Sequence, residues 1–174
     1  MAGFVSSPVT NPTAIRILSI LLCMNPAWIC KVEDVEGAFL QGTFENREVI
    51  YCKVPDGMEE LYGTHESNVL LMQVPLYGMK QVSRCFYQKL VEKNLDRGYQ
   101  RSTADNSLFF TVRNQQLSVF ASWVDDLIIM GLPSDVRQIE LDLEKSFVYK
   151  SEGEMKEYVG SKIDPVRQHW ARNC

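Results

Sequence analysis

Apolar and polar residues alternate along the second half of the chain in the rhythm of strands. Leu108–Val112 and Leu117–Val124 flank Arg113-Asn114-Gln115-Gln116, which predicts a hairpin, and Leu127–Met130 returns antiparallel past Asp125-Asp126. Earlier, Trp28–Val35 reads as a strand. Val49–Val54 and Val69–Val74 are β-rich runs on either side of an acidic loop holding Gly57 and Gly63, and together they predict a second hairpin. Thr10-Asn11-Pro12 supplies a capping side chain and an early proline for a helix over Ala14–Met24, so apolar that burial all round is expected. A second helix starts at Val82, with Val82, Phe86 and Leu90 on one face, Lys89, Lys93 and Arg97 on another, and Gly98 at its end. Ser134 is placed to cap a third, whose apolar side is Val136, Ile139, Leu143 and Phe147, and Tyr158–Ile163 reads as a last strand. The mixed order predicts an α+β fold, an antiparallel sheet with helices packed on one face.

At 174 residues and 45% apolar content the chain is long enough to bury one real core, and disorder is excluded. No internal repeat or linker divides it. The longest uncharged apolar stretch, Ile17–Cys30, is broken by Asn25-Pro26, and the N-terminus lacks the basic start of a secretory signal. An intracellular, reducing setting with no membrane partner is expected, the cytoplasm or the nucleus. The five cysteines, Cys23, Cys30, Cys52, Cys85 and Cys174, show no Cys-x-x-Cys spacing and have only His65 and His169 as company, which supports neither a zinc site nor a disulfide framework. The net charge of −4 is unevenly spread. Residues 31–67 hold three Lys/Arg against nine Asp/Glu, whereas residues 80–101 hold six against two. Contact with a nucleic-acid duplex, if made, is therefore expected at the second segment.

Asp125-Asp126 is the candidate chemistry. Two carboxylates about 4 Å apart between apolar strands repel by about 4 kcal/mol at an effective dielectric of 20, so a cation is expected beside them. Asp34, in Glu33-Asp34-Val35-Glu36, has similar apolar flanks on the N-terminal side. Three carboxylates converging on two Mg²⁺ ions, with Mn²⁺ as a substitute, make a nucleotidyl-transfer site. The bland alternatives are an Asp-Asp turn that bonds its own backbone and, for Asp34, a solvated acidic cluster with Glu33 and Glu36.

Trp123-Val124-Asp125-Asp126-Leu127 resembles the Tyr-x-Asp-Asp hairpin of reverse transcriptases. Asp34-Val35 with Ala38-Phe39-Leu40-Gln41-Gly42 is similar to the Asp-Val-x-x-Ala-Phe-Leu-Asn-Gly block of copia-type LTR retrotransposon polymerases. Further blocks follow in that family's order: Ser7-Pro8-Val9-Thr10 with Thr13-Ala14-Ile15-Arg16, Val54-Pro55-Asp56-Gly57, Leu76-Tyr77-Gly78-Met79-Lys80-Gln81 with Arg84, and Gly98-Tyr99 with Ser102 and Asp105. The resemblance implies a polymerase palm with partial fingers over residues 4–163, then an unmatched tail, 164–174.

It also implies roles. Asp34 and Asp125 become the leading metal ligands and catalytic residues, with Asp126 third, acting on a primer 3′ hydroxyl and a deoxynucleoside triphosphate over an RNA or DNA template. Phe39 stands where the family holds a ring beneath the incoming sugar, a position also natural for a core phenylalanine. Gln81 matches a nucleotide- or template-contacting glutamine. Lys80 and Arg84 open the basic helix where phosphate is met, and Lys89, Lys93 and Arg97 continue it, either as a duplex track or as a solvated face. Trp123 replaces the family's tyrosine and offers a stacking plate without its hydroxyl. The family's upstream triphosphate-binding fingers, its thumb and its ribonuclease H are not in this sequence. The expectation is therefore a fragment that works with other parts of a retroelement polyprotein, against the alternative of a non-catalytic remnant or domesticated nucleic-acid-binding domain.

Overall fold

A computed structural model describes residues 8–44, 48–62, 69–154, 157–158 and 161–162. In chain order the elements are α1 (Pro12–Met24), β1 (Ile29–Val35), a short 3-10 helix (Ala38–Gln41), β2 (Tyr51–Lys53), α2 (Glu59–Tyr62), β3 (Val69–Leu71), α3 (Val82–Asp96), β4 (Gln100–Arg101), β5 (Leu108–Arg113), β6 (Gln116–Trp123), β7 (Asp126–Gly131), α4 (Pro133–Glu144), β8 (Tyr149–Glu154), β9 (Glu157–Tyr158) and β10 (Ser161–Lys162). Six strands form one antiparallel sheet in the order β4-β5-β6-β7-β1-β8. The crossover that inserts β1 between β7 and β8 brings the first half of the chain into the centre of the second. The predicted β2–β3 hairpin forms a separate ribbon.

Alternation along the strands sends side chains to two cores. On one face Val35, Phe109, Phe120, Leu127 and Ile129 pack against Phe86 and Leu90 of α3 and against Val136, Ile139 and Leu143 of α4. Phe109 stacks on Phe120 at 5.1 Å, and Phe147, just past α4, meets Phe86 edge-on at 5.8 Å. On the other face Cys30, Val32, Val119, Ala121, Ile128 and Met130 pack against Leu18 of α1. Helices therefore cover both faces of the sheet. This corrects the expectation of one covered face, because the strands are apolar on both sides and each side needs a cover.

The all-round burial expected of α1 is also corrected. Leu18 is its one buried residue, whereas Ile17, Ile20 and Met24 are more than half exposed. Asn11 caps it through Thr13 N–H, as the sequence predicts. The cap expected of Ser134 is absent: α4 starts at Pro133 with Leu132 in the capping position and no side-chain cap bond. Within the supposed loop after β2, Glu59–Tyr62 turns helical, while Gly63 falls outside the described residues. The last strand divides into the small β9–β10 pair, with Ile163 and the tail 164–174 outside the described residues. β8, which no sequence pattern indicated, closes the edge beside β1. Among the described residues no helix is long and apolar enough to cross a membrane.

Candidate active site

Antiparallel register brings the distant acidic residues together. β1 lies beside β7, and Asp34 stands directly opposite Asp126. Opposite residues project from the same face with Cβ atoms about 5 Å apart, so two half-buried carboxylates are held side by side near the end of the sheet. The register makes Asp126, rather than Asp125, the cross-strand partner of Asp34.

Asp125 occupies the turn. β6 and β7 close at the pair Trp123 and Asp126, leaving Val124 and Asp125 as a two-residue connection. Val124 has φ of 59°, the left-handed region that a β-branched residue enters at a cost of about 1–3 kcal/mol. The surrounding bonds hold it there. Ser122 Oγ donates to the Val124 carbonyl at 3.4 Å, and Val35 N–H donates to the Asp125 carbonyl at 3.0 Å, tying the turn to the end of β1. The exposed Asp125 side chain projects at the rim of the Asp34–Asp126 pair's end of the sheet.

Among the described residues no three Asp, Glu, His or Cys side chains form a ready metal cage. Asp34 and Asp126 stand side by side with Asp125 on the neighbouring turn, and carboxylate oxygens are hard donors. That chemistry fits Mg²⁺ or Mn²⁺, which are held by one or two carboxylates while keeping water and substrate oxygens as further ligands.

The strand residue next to Asp34 points the other way and has a different chemistry. Glu33 is fully buried, accepts from Ser151 Oγ at 3.0 Å, and leaves Oε2 without a hydrogen-bond partner. Burial, above all, pushes its carboxyl up to about 7; the Ser151 bond opposes this, and the nearby Glu140 carboxylate reinforces it. Glu140, also buried, is paired with Lys31 and with Arg137. Read as part of an acidic cluster with Asp34 and Glu36, Glu33 gave no sign of this: of the two glutamates, only Glu36 is exposed.

The remaining candidates are spread more widely. Trp123, half-buried, ends β6 and bridges to Val9. Phe39 sits on the 3-10 helix that follows β1, half-buried against the ring of Tyr77 at 5.0 Å. Gln81 stands at the α3 start and donates to Glu48 Oε1 at 3.3 Å, beside the exposed Lys80. Arg84 is half-buried on the first turn of α3. The three cations spaced by four are occupied inside the domain. Lys89 Nζ donates to the Gln41 carbonyl at 2.7 Å and lies over the Phe147 ring, and Arg97 donates to Ser146 Oγ at 2.5 Å. Lys93 pairs with Glu92 and Asp96.

Comparison with known proteins shows the family. A family model described as reverse transcriptase (RNA-dependent DNA polymerase) matches residues 3–169. The Retrovirus-related Pol polyprotein from transposon RE1 of Arabidopsis thaliana is 31% identical over 161 residues, which are 92% of this chain and 11% of that protein. The polyprotein from transposon TNT 1-94 of Nicotiana tabacum is 32% identical over 171 residues, 95% of this chain and 12% of that one. The chain thus spans about a tenth of the length of the relatives it matches. No solved structure matches it. With a match running along nearly the whole sequence, the chain belongs to the reverse transcriptase family of copia-type retrotransposon Pol polyproteins.

Proposed function

We propose that this chain is the palm, with part of the fingers, of an RNA-directed DNA polymerase, and that Asp34, Asp125 and Asp126 are its metal ligands and catalytic residues. The observation that carries the reading is the placement of Asp34 opposite Asp126, one residue from the strained turn that displays Asp125. Two carboxylates in register put hard oxygen donors side by side, which suits a divalent cation.

When bound, a pair of divalent cations lowers the pKa of the primer 3′ hydroxyl and neutralises charge on the triphosphate and its pyrophosphate leaving group. The chain's residues supply the rest. Asp34 and Asp126 fix the donor oxygens on a rigid sheet, and Asp125 adds a donor from the turn. Phe39, on the 3-10 helix, presents a ring that excludes a ribose 2′ hydroxyl and so selects deoxynucleotides. Gln81 contacts nucleotide or template, Lys80 and Arg84 meet phosphate at the α3 start, and Trp123 stacks against the primer end. Template, primer and deoxynucleoside triphosphates are the partners, with other domains of a Pol polyprotein holding the duplex.

Extension of a DNA primer on an RNA template in Mg²⁺ or Mn²⁺ tests this. Incorporation that is weak but dependent on the metal, and lost in both Asp34→Asn and Asp126→Asn, is expected. Incorporation that survives either substitution would remove these carboxylates from the reaction.

A further inference from the structure

Among the ordered sequence blocks with no place in the chemistry above are the one that includes Val9-Thr10 and the one containing Ser102 and Asp105. The structure brings both to the base of the acidic hairpin. Ser122, the residue before Trp123, is fully buried. Its pairing with Leu127 belongs to a two-residue hairpin closed at Trp123 and Asp126, so its own N–H and C=O face away from β7. β5 cannot serve them, because its pairing with β6 ends at Leu108 opposite Ala121.

Both groups are taken by other segments. The Ser122 carbonyl accepts Thr10 N–H at 3.3 Å and Thr10 Oγ1 at 2.7 Å, and Thr10 is fully buried. The Ser122 N–H donates to the Ser107 carbonyl at 2.9 Å. One residue further, Val9 bridges Trp123 as a short extension of the sheet. Asp105 locks these two segments to each other, its carboxylate accepting Asn11 N–H at 2.7 Å and Ser107 N–H at 2.9 Å. The same Ser122 side chain bonds the Val124 carbonyl within the strained turn.

We infer that Thr10, through Ser122 and with Asp105 as the tie, is a positioning residue that holds the Val124-Asp125 turn in its left-handed geometry and so sets Asp125 and Asp126 against Asp34. A strained turn persists only where its neighbours over-determine it, and here the hydroxyl of Thr10 supplies a short bond, at 2.7 Å, to the hairpin base itself. The positioning of metal ligands rests on the proposed function; the anchoring of the turn does not.

The test compares Thr10→Val, which keeps the shape, with Thr10→Ser, which keeps the hydroxyl. Amide hydrogen exchange of the full chain is followed at Val35, whose N–H bonds the turn, and at Ile139–Leu143 in α4 as a distant reference. Mn²⁺ affinity is measured alongside. In Thr10→Val, exchange at Val35 should quicken about tenfold, the equivalent of one buried hydrogen bond, with α4 unchanged and Mn²⁺ bound more weakly; Thr10→Ser should behave as the parent. Equal acceleration at Val35 and α4, no acceleration in Thr10→Val, or failure of Thr10→Ser to restore the parent pattern would overturn the inference. If the parent chain binds no Mn²⁺ yet Thr10→Val still quickens Val35 alone, the anchoring stands and the metal reading fails.

Discussion

Replacing Glu33 with glutamine should stabilise the chain at alkaline pH and do nothing at acid pH. Glu33 is fully buried with one oxygen on Ser151, the other without a hydrogen-bond partner and the Glu140 carboxylate nearby, and its carboxyl is raised to about 7 from an ordinary 4.5. The folded state therefore holds this proton more tightly than the unfolded chain does. Stability falls as pH climbs from about 4.5 to about 7, because the unfolded chain ionises freely over that window and the folded one does not. At 1.36 kcal/mol per pH unit the full gap is worth at most about 3 kcal/mol. Relaxation and water entry around the ionised group reduce the effective penalty, leaving roughly 1–2 kcal/mol at pH 8. Glutamine keeps an acceptor for Ser151 and has no charge to bury. Thermal melts of parent and Glu33→Gln should coincide at pH 5 and separate by pH 8, with the variant higher by roughly 3–6 °C for a chain of this length. A variant that melts lower at both pH values, or a difference that does not grow with pH, would refute the reasoning.

Two other outcomes follow from packing. A Cβ at Gly42 would lie 2.9 Å from Phe86 N and 3.2 Å from the Cys85 carbonyl carbon, both backbone of α3, so Gly42→Ala should cost about 1–3 kcal/mol in chemical denaturation; an unchanged midpoint would mean that the 3-10 helix and α3 are not in close contact. Lys89 serves the Gln41 carbonyl and the Phe147 ring, so Lys89→Gln should lower stability by about 1 kcal/mol while leaving the salt dependence of duplex binding unchanged. A flatter salt slope would instead put Lys89 on phosphate.

The sequence disclosed the elements whose apolar periodicity is strong and hid those defined by a partner. The β5–β6–β7 meander was legible because each strand is apolar and each break polar. β8 was not: Tyr149-Lys150-Ser151-Glu152-Gly153-Glu154 has no alternation and is a strand only because β1 offers it an edge, with a register shift between Val32 and Glu33. For α1 the residue pattern gave apolarity without saying how much of the helix the sheet could cover. At the site, Asp34 and the Asp-Asp pair were legible as acidic residues in apolar surroundings, and the family match runs through both. What no pattern stated was the one-residue placement of the turn, fixed by the positive φ of Val124, which makes Asp126 the partner of Asp34. The surroundings of the basic stripe on α3 were hidden for a related reason: four-residue spacing fixes a face of the helix, but not that the 3-10 helix and the Phe147 segment lie against it.

Asp34, Asp125 and Asp126 are proposed to form one divalent-cation site. Nuclear magnetic resonance with Mn²⁺ tests this through paramagnetic broadening of backbone amides in the parent chain and in Asp34→Asn and Asp126→Asn. Broadening centred on Asp34 and on Val124–Asp126, displaced by excess Mg²⁺ and lost in either variant, is expected. Broadening centred instead on the acidic residues after β2, or a pattern unchanged by both substitutions, would contradict it.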